Sequence, residues 1–252
     1  AKWKDKPSWD KASEVGVNAL EKGQFLKAEQ SLKTALKIAR TSSGSNEYIA
    51  NSIGNLAAAE NGLGKVKEAE ALFKESIAML EKDSKLKSDL YNTLNNLAAC
   101  YTDSGRAPEA AKVYQRLIAA MSKDPNVKPI EITRYLDYLA ELYQSQGRLK
   151  EAVPISTQSL AIKEKAHVPE GVLVNALSRL ANLHYQIGSY KEAETINKRA
   201  LAIDQKRLDF VSAASAHNNL AVIYTAQGRY DEAEAAFKRC LPVLDKASGD
   251  KE

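Results

Sequence analysis

Asparagine is the residue type whose placement in this sequence points most directly to binding chemistry. Fourteen asparagines occur among the 252 residues, and ten of them fall in the apolar segments that precede Gly64, Gly105, Gly188 and Gly228. A carboxamide both donates and accepts, so a row of them can bind the N–H and C=O groups of an extended peptide. Alternatively, each amide bonds the backbone of a neighbouring segment. The asparagines that we predict to contact a peptide are Asn51, Asn55, Asn92, Asn95, Asn96, Asn175, Asn182, Asn218 and Asn219.

Two arginines and two tyrosines in the same kind of segment could also bind a ligand. Arg134 and Arg179 are predicted to clamp a carboxylate through paired N–H donors, with Tyr138 and Tyr185 as flat anchors nearby. A protein or peptide partner with acidic residues would suit them. In an alternative interpretation, Arg179 forms an ion pair with Asp137 or Glu141 across the same face instead of binding a ligand.

No arrangement of side chains indicates catalysis. The histidines His167, His184 and His217 lie far apart in the sequence, and His184 occupies a position that other segments fill with tyrosine, so we predict that it packs. Gly-rich phosphate loops, HExxH and GxSxG are missing. Cys100 and Cys240 fall in apolar runs and are predicted to be small buried residues. We therefore predict no enzyme, no cofactor and no bound metal.

The elements that must position these side chains are marked by a repeating glycine. Six glycines stand 40 to 42 residues apart: Gly23, Gly64, Gly105, Gly147, Gly188 and Gly228. Seven residues before each is a glycine or alanine, and five residues after each is an alanine. Apolar residues recur at helical spacing on both sides, so each glycine is predicted to end one helix of a hairpin whose two helices cross closely. Nine residues after the glycine, Phe73, Tyr114 and Phe237 are predicted to fill the gap towards the next hairpin.

This pattern resembles the tetratricopeptide repeat, whose usual unit is shorter. The longer period, with Leu-Asn-Asn-Leu-Ala at 94–98 and His-Asn-Asn-Leu-Ala at 217–221, is similar to the repeats of kinesin light chains. The resemblance implies an all-α, right-handed superhelical α-solenoid of six helix-turn-helix repeats. It also implies that the first helix of each hairpin lines a concave groove.

Counting back from each glycine separates the two faces of the first helix. Residues eleven, eight, seven and four before it are mainly apolar and predict the core, whereas those thirteen, ten, nine, six and three before it predict the groove face. All the binding residues proposed above fall on that groove face. We predict one continuous solenoid over residues 9–247, an N-terminal extension at 1–8 and a frayed tail at 248–252.

Composition narrows the class of protein. The net charge of +4 is small, and acidic and basic residues alternate along the chain, which does not indicate nucleic-acid binding. No run of eighteen apolar residues predicts a membrane span. The first residues form no apolar leader and lack Met, so we expect a cytoplasmic protein and a piece of a longer chain.

These observations predict a non-catalytic protein–protein interaction scaffold that holds an extended peptide of a partner in its groove. Two alternatives stay open. Unprotected end repeats could stack and make the chain self-assemble, or the repeats could be the sensor part of a peptide-gated regulator.

Overall fold

The structure is built from α-helices. The computed structural model describes residues 3–41 and 45–249, with side chains through residue 240. Within these ranges it contains twelve α-helices, one 3-10 turn and no strand. The chain divides into two compact units, residues 1–121 and 122–252, and each is described by itself.

The first unit contains six helices. They are α1 (Lys6–Glu21), α2 (Phe25–Thr41), α3 (Asn46–Gly62), α4 (Val66–Leu80), α5 (Lys87–Asp103) and α6 (Ala107–Ser122), with the 3-10 turn at Ser84–Leu86. Helix α1 packs on α2, α2 on α3, α3 on α4 and α4 on α5. Because α1 begins at Lys6, the last three residues of the predicted extension at 1–8 are helical.

The second unit repeats this arrangement. Its helices are α7 (Pro129–Ser145), α8 (Leu149–Lys165), α9 (Glu170–Gln186), α10 (Tyr190–Lys206), α11 (Phe210–Ala226) and α12 (Tyr230–Gly249). Hairpin partners pack together, and α8 packs on α9 and α10 on α11. This sequential packing confirms the predicted all-α solenoid fold. Helix α12 includes residues 248 and 249 of the predicted tail, whereas residues 250–252 lie outside the described part.

Each first helix is joined to its second helix by a three-residue turn centred on one of the six glycines. The glycines have φ between 67° and 78°, a conformation that only glycine adopts without strain. At Gly64, the N–H of the next residue, Lys65, donates to the carbonyl of Glu60 at 2.9 Å. This bond closes the helix end as a Schellman motif, so the predicted role of the glycines is confirmed.

Small residues allow the two helices of a hairpin to approach closely. The alanines five residues after the glycines are all buried. In the first hairpin, a Cβ added to Gly16 of α1 would lie 2.5 Å from Cγ of Leu32 in α2. A larger residue there would push the helices apart, which confirms the reason given for the small positions.

The large residues nine positions after the glycine differ in how far they are buried. Phe73 is 1 % exposed and Tyr114 is also buried, as predicted. Phe237 is 41 % exposed, so the prediction that it is covered is wrong. The reason is that no helix follows α12 within the described residues to cover this position.

An aromatic cluster holds the start of α1 against α3. The ring of Tyr48 lies 4.7 Å from that of Trp9 and 4.9 Å from that of Trp3, centroid to centroid. Trp9 Nε1 donates a 2.8 Å hydrogen bond to Ser52 Oγ. The first residues of the described chain are therefore part of the packed first unit.

Candidate functional site

The predicted binding residues lie on the solvent-accessible sides of the first helices. In the first unit, Asn92 and Asn96 are exposed, whereas Asn51, Asn55 and Asn95 are half-buried. In the second unit, the exposed members are Arg134, Tyr138, Asn175, Arg179, Asn182, Asn218 and Asn219. Each of them can therefore contact solvent or a ligand.

Most of these amides make no hydrogen bond to another described residue. Within the described residues, Asn51 is the exception among the nine, since its Nδ2 lies 3.4 Å from Asp89 Oδ2. The amide-to-backbone bond of the structural alternative occurs on a second helix instead, where Asn197 Nδ2 donates to the Ala216 carbonyl at 2.7 Å. The other predicted amides therefore keep their donors and acceptors for solvent or a ligand.

Neighbouring first helices meet along their accessible faces in the second unit. Arg179 Nη1 of α9 lies 2.6 Å from Glu141 Oε1 of α7, and Gln144 Nε2 donates to Gln186 Oε1 at 3.2 Å. Of the two predicted neutralising partners of Arg179, the structure selects Glu141. Both side chains of this pair are more than half exposed, so it contributes at most about 1 kcal/mol.

Asp137 was predicted on the groove face but is directed towards the second helix of its own hairpin. Its Oδ2 lies 2.6 Å from Lys163 Nζ, and its Oδ1 accepts a 2.6 Å hydrogen bond from Ser159 Oγ. The position ten residues before the glycine faces inwards in another hairpin too, because a Cβ added to Gly54 would lie 3.2 Å from Ser76 Oγ. Asn95 occupies the same position and is half-buried, whereas Asn218, also at this position, is exposed.

A cavity of about 470 Å³ lies between two neighbouring first helices of the second unit, α9 and α11. Its lining includes Arg179, Asn182 and Tyr185 from α9, with Asn219, Val222 and Ile223 from α11. The cavity thus brings together four of the predicted residues, namely Arg179, Asn182, Tyr185 and Asn219. Arg134, Tyr138, Asn175 and Asn218 are accessible but do not line it. A space of this size with a few polar groups over apolar side chains is typical of a ligand site.

Arg134 occupies its accessible face beside a buried ring. Its guanidinium carbon lies 4.5 Å from the centroid of Tyr135, a cation–π contact that holds the side chain in place. The guanidinium is therefore pre-positioned on α7, apart from the cavity that contains Arg179.

Sequence models described as the tetratricopeptide repeat match residues 11–82, 89–165, 131–206 and 214–243. The chain belongs to the tetratricopeptide repeat family. No curated protein sequence matches it.

Solved structures of other tetratricopeptide repeat proteins share the fold. One holds nearly identical TPR-like repeats assigned to a kinesin light chain of Podosopora anserina, with 23% identity, a TM-score of 0.63, and coverage of 81% of this chain and 98% of that one. BtubC (BKLC) from P. vanneervenii has 22% identity and a TM-score of 0.64 over 92% and 93% of the two chains. A signal transduction ATPase with a tetratricopeptide repeat sensor, from Pyrococcus horikoshii, has 18% identity and a TM-score of 0.66, over 93% of this chain and 35% of that one. The repeats are thus similar to those of kinesin light chains.

Consecutive tetratricopeptide repeats are linked by a set of ion pairs that sequence reasoning missed. In three places, the basic residue directly after a glycine pairs with a glutamate six residues after the preceding glycine. These pairs are Lys65–Glu29 at 2.8 Å, Arg106–Glu70 at 2.5 Å and Arg229–Glu194 at 2.6 Å. Each arginine also covers a tyrosine ring of its own first helix, with the guanidinium carbons 4.4 and 4.3 Å from the centroids. The basic residues and glutamates recur at fixed distances from the glycine, so the pattern was available in the sequence.

These contacts stabilise the ionised form of the glutamates. Hydrogen bonds from Lys74 and Arg106 lower the pKa of Glu70 to about 2. Hydrogen bonds from Lys33 and Lys65 lower the pKa of Glu29 to about 2 in the same way. The charged links between repeats therefore persist over the whole neutral and mildly acidic range.

Three polar side chains of the second unit are wholly or partly buried. His217 occupies a position that holds isoleucine or leucine in the four repeats before it. Its burial, followed by the charge of Arg239, lowers its pKa. His184 is half-buried with no hydrogen-bond partner for Nδ1, in keeping with the predicted packing role. Asp204 is fully buried; Arg207 lies 3.2 Å from its Oδ1, and its Oδ2 has no partner.

The described residues contain no group of three or more histidine, cysteine, aspartate or glutamate side chains that could hold a metal ion. None of the helices in the same ranges is both long and apolar enough to cross a membrane. The tetratricopeptide repeat fold itself supports a general role as a protein–protein interaction scaffold.

Proposed function

We propose that this tetratricopeptide repeat chain is a non-catalytic module that binds an extended peptide of a partner protein along the accessible faces of its first helices. The cavity between α9 and α11 carries the proposal. Two amides that make no hydrogen bond to the part of the chain that the structure describes, those of Asn182 and Asn219, line it together with Arg179.

The cavity lining suits an extended backbone. Such a peptide presents N–H and C=O groups to both sides along its length, and a carboxamide can satisfy either group. Asn182 and Asn219 approach the space from two different helices, so together they can hold one peptide from both sides. Val222 and Ile223 supply apolar contact, and the ring of Tyr185 offers a surface for a ligand side chain.

Arg179 favours a peptide that contains a carboxylate. Its present partner, Glu141, is bound through an exposed pair that costs little to break. A carboxylate held inside the cavity would be less hydrated, so its hydrogen bonds to the guanidinium would be stronger. Acidic extended peptides are therefore the ligand class that the proposal puts first.

Binding of peptides selected from a displayed random library tests the proposal. We expect the double variant Asn182→Ala and Asn219→Ala to bind the selected peptides about tenfold more weakly, because two hydrogen bonds are lost. Affinity is measured by fluorescence polarisation of the labelled peptides.

The matched control is the double variant Asn18→Ala and Asn46→Ala, which removes two exposed amides of the first unit. We expect it to bind like the wild type. Unchanged affinity in the cavity variant for every selected peptide, with wild-type folding, would mean that peptides do not bind at this site.

A further inference from the structure

A second cavity of the second unit lies between two successive second helices, α10 and α12, and is also lined by α11. Its volume is about 240 Å³. Leu201, Ala236 and other apolar side chains line it together with His217 and Arg239. His217 precedes Asn219 by two residues, so the two side chains point about 200° apart around α11. This cavity, which we call the inter-helix cavity, is therefore separate from the one that contains Asn219.

The inter-helix cavity occurs where earlier repeats have a larger side chain. Ala236 lies eight residues after its glycine, and the four preceding repeats have leucine, valine or isoleucine at that position. In the fifth repeat (α9 and α10) this residue is Ile196, which packs against the cluster that contains Leu160 of α8. Ala236 likewise clusters with Leu201 of α10. The cavity is therefore on the side of α12 that faces the preceding repeat.

A positive charge beside the inter-helix cavity lacks the partner that its equivalents have. Arg199 of α10 lies eleven residues after its glycine and pairs with Glu164 of α8, seventeen residues after the preceding glycine. A glutamate–arginine pair joins the same two positions of the second and third repeats. For Arg239 of α12, the place of the glutamate is occupied by Gln205. Among the residues that the structure describes, Arg239 forms no ion pair.

The other ionisable groups around the inter-helix cavity do not balance this charge. Lys198 Nζ lies 2.7 Å from Glu194 Oε1, and Glu232 has an ion pair of its own with the basic residue after Gly228. Burial lowers the pKa of His217, so its imidazole is uncharged at neutral pH. A ligand that enters the cavity therefore meets one net positive charge above an apolar surface.

We infer that the inter-helix cavity binds a carboxylate that bears a branched aliphatic group. In one molecule, this ligand supplies the two groups that the chain itself provides one repeat earlier, namely the side chain of Ile196 and the carboxylate of Glu164. Its carboxylate accepts paired hydrogen bonds from Arg239, and its hydrocarbon packs against Leu201 and Leu220. A volume of 240 Å³ has room for about eight water-sized groups, as many as the non-hydrogen atoms of isocaproate.

Proton NMR of the His217 imidazole measures binding inside the cavity directly. His167 and His184 do not line the cavity and serve as internal references. We expect isocaproate to shift the His217 signals in a saturable manner and to leave the other two unchanged. Neutral isocaproamide should bind about tenfold more weakly, because it forms no charge-assisted hydrogen bonds with Arg239. Acetate should bind about a hundredfold more weakly, because four fewer carbons are buried.

Substitutions on both sides of the cavity test the inferred contacts. Ala236→Ile fills the space as isoleucine does in the fifth repeat, so isocaproate should cause no saturable shift. Arg239→Gln should weaken binding about tenfold because the cation is lost. Gln205→Glu should have a similar effect, because it gives the guanidinium a competing carboxylate within the chain. The matched control is Arg199→Gln, at an arginine already paired with Glu164, which should bind isocaproate like the wild type. Circular dichroism checks that each variant is folded.

Two sources of such a carboxylate are distinguished by a tripeptide, Gly-Gly-Leu, with a free C-terminus. Tighter binding of the tripeptide than of isocaproate would identify the C-terminal leucine of a protein, and weaker binding would identify a free small acid. The double variant Asn182→Ala and Asn219→Ala should bind both ligands normally, so the result is independent of the peptide-binding proposal. The inference is overturned if neither ligand shifts the His217 signals, or if Ala236→Ile and Arg239→Gln bind with wild-type affinity.

Discussion

Asn197 of α10 and the backbone carbonyl of Ala216 in α11 are joined by a 2.7 Å hydrogen bond that is shielded from solvent. Oδ1 of the same amide has no hydrogen-bond partner among residues 3–41 and 45–249. Replacement of Asn197 by alanine removes the bond and leaves a cavity between two repeats, so we expect the free energy of unfolding to fall by roughly 2–3 kcal/mol. Urea denaturation followed by circular dichroism measures the loss.

Asn197→Leu is the informative companion variant. Leucine occupies the same position in the first repeat, where Leu32 is fully buried, and it leaves no unpaired amide oxygen. We expect it to cost less than Asn197→Ala. Asn175→Ala, an exposed change on α9, should alter stability by less than about 0.5 kcal/mol. Equal losses of unfolding free energy in Asn175→Ala and Asn197→Ala would contradict a stabilising role of the buried hydrogen bond.

The pair of Asp137 and Lys163 predicts a second effect on stability. Lys163→Met removes the cation from a nearly buried site and leaves the Asp137 carboxylate with only the Ser159 hydroxyl, so we expect a loss of roughly 2–4 kcal/mol. The double variant Asp137→Ser and Lys163→Met should recover most of this loss. Ser178 and Met121 occupy the equivalent positions of neighbouring repeats, so both replacements suit the fold. A double variant less stable than Lys163→Met alone would contradict this account.

Acidic pH should weaken the links between repeats. The pKa of Glu70 is about 2 in the folded chain against an ordinary value of 4.5, because Lys74 and Arg106 bind the ionised form. Its stabilisation is therefore complete above pH 4.5 and is lost as the pH falls from 4.5 to 2. Glu70→Gln should flatten the decline in unfolding free energy over this window by on the order of 1 kcal/mol. Glu68→Gln, an exposed change on the same helix, should leave the decline as in the wild type.

Variants of the exposed ion pair of Glu141 and Arg179 distinguish acidic peptide ligands from neutral ones. If an acidic peptide binds Arg179, Glu141→Gln should raise its affinity severalfold, because the guanidinium no longer has an internal competitor, and Arg179→Gln should lower it. Both variants should unfold within about 1 kcal/mol of the wild type. Neutral peptides should bind both variants alike. If an acidic peptide binds both variants with wild-type affinity, Arg179 does not contact it.

The hairpin fold was predictable because its signals are local. Each of the six glycines ends a helix through the conformation of its own turn. The small residues before and after it belong to the two helices of a single hairpin. The side of the first helix that faces solvent followed from counting along a single helix. For that reason Asn182 and Asn219, from different repeats, could be assigned to accessible faces before their shared cavity was known.

Other features depend on partners distant in the sequence or on backbone strain. Asp137 turns inwards because of Ser159 and Lys163, which lie on another helix, and no pattern within its own helix reveals this. His167 and Leu208 adopt φ values of 50° and 58° between repeats. Such a conformation costs of order 1 kcal/mol or more for residues other than glycine, and neither residue type signals it. The ion pairs between repeats were not predicted, because positions were compared within one first helix, whereas each pair joins residues of two different repeats.

The aromatic cluster at the start of α1 makes the first unit optically distinct. The chain has two tryptophans, Trp3 and Trp9, and both pack on Tyr48. Intrinsic tryptophan fluorescence therefore reports on the first unit, whereas far-ultraviolet circular dichroism follows the helices of both. Coincidence of the two denaturation midpoints would reveal one cooperative transition, and separate midpoints would yield the stability of each unit without any added label.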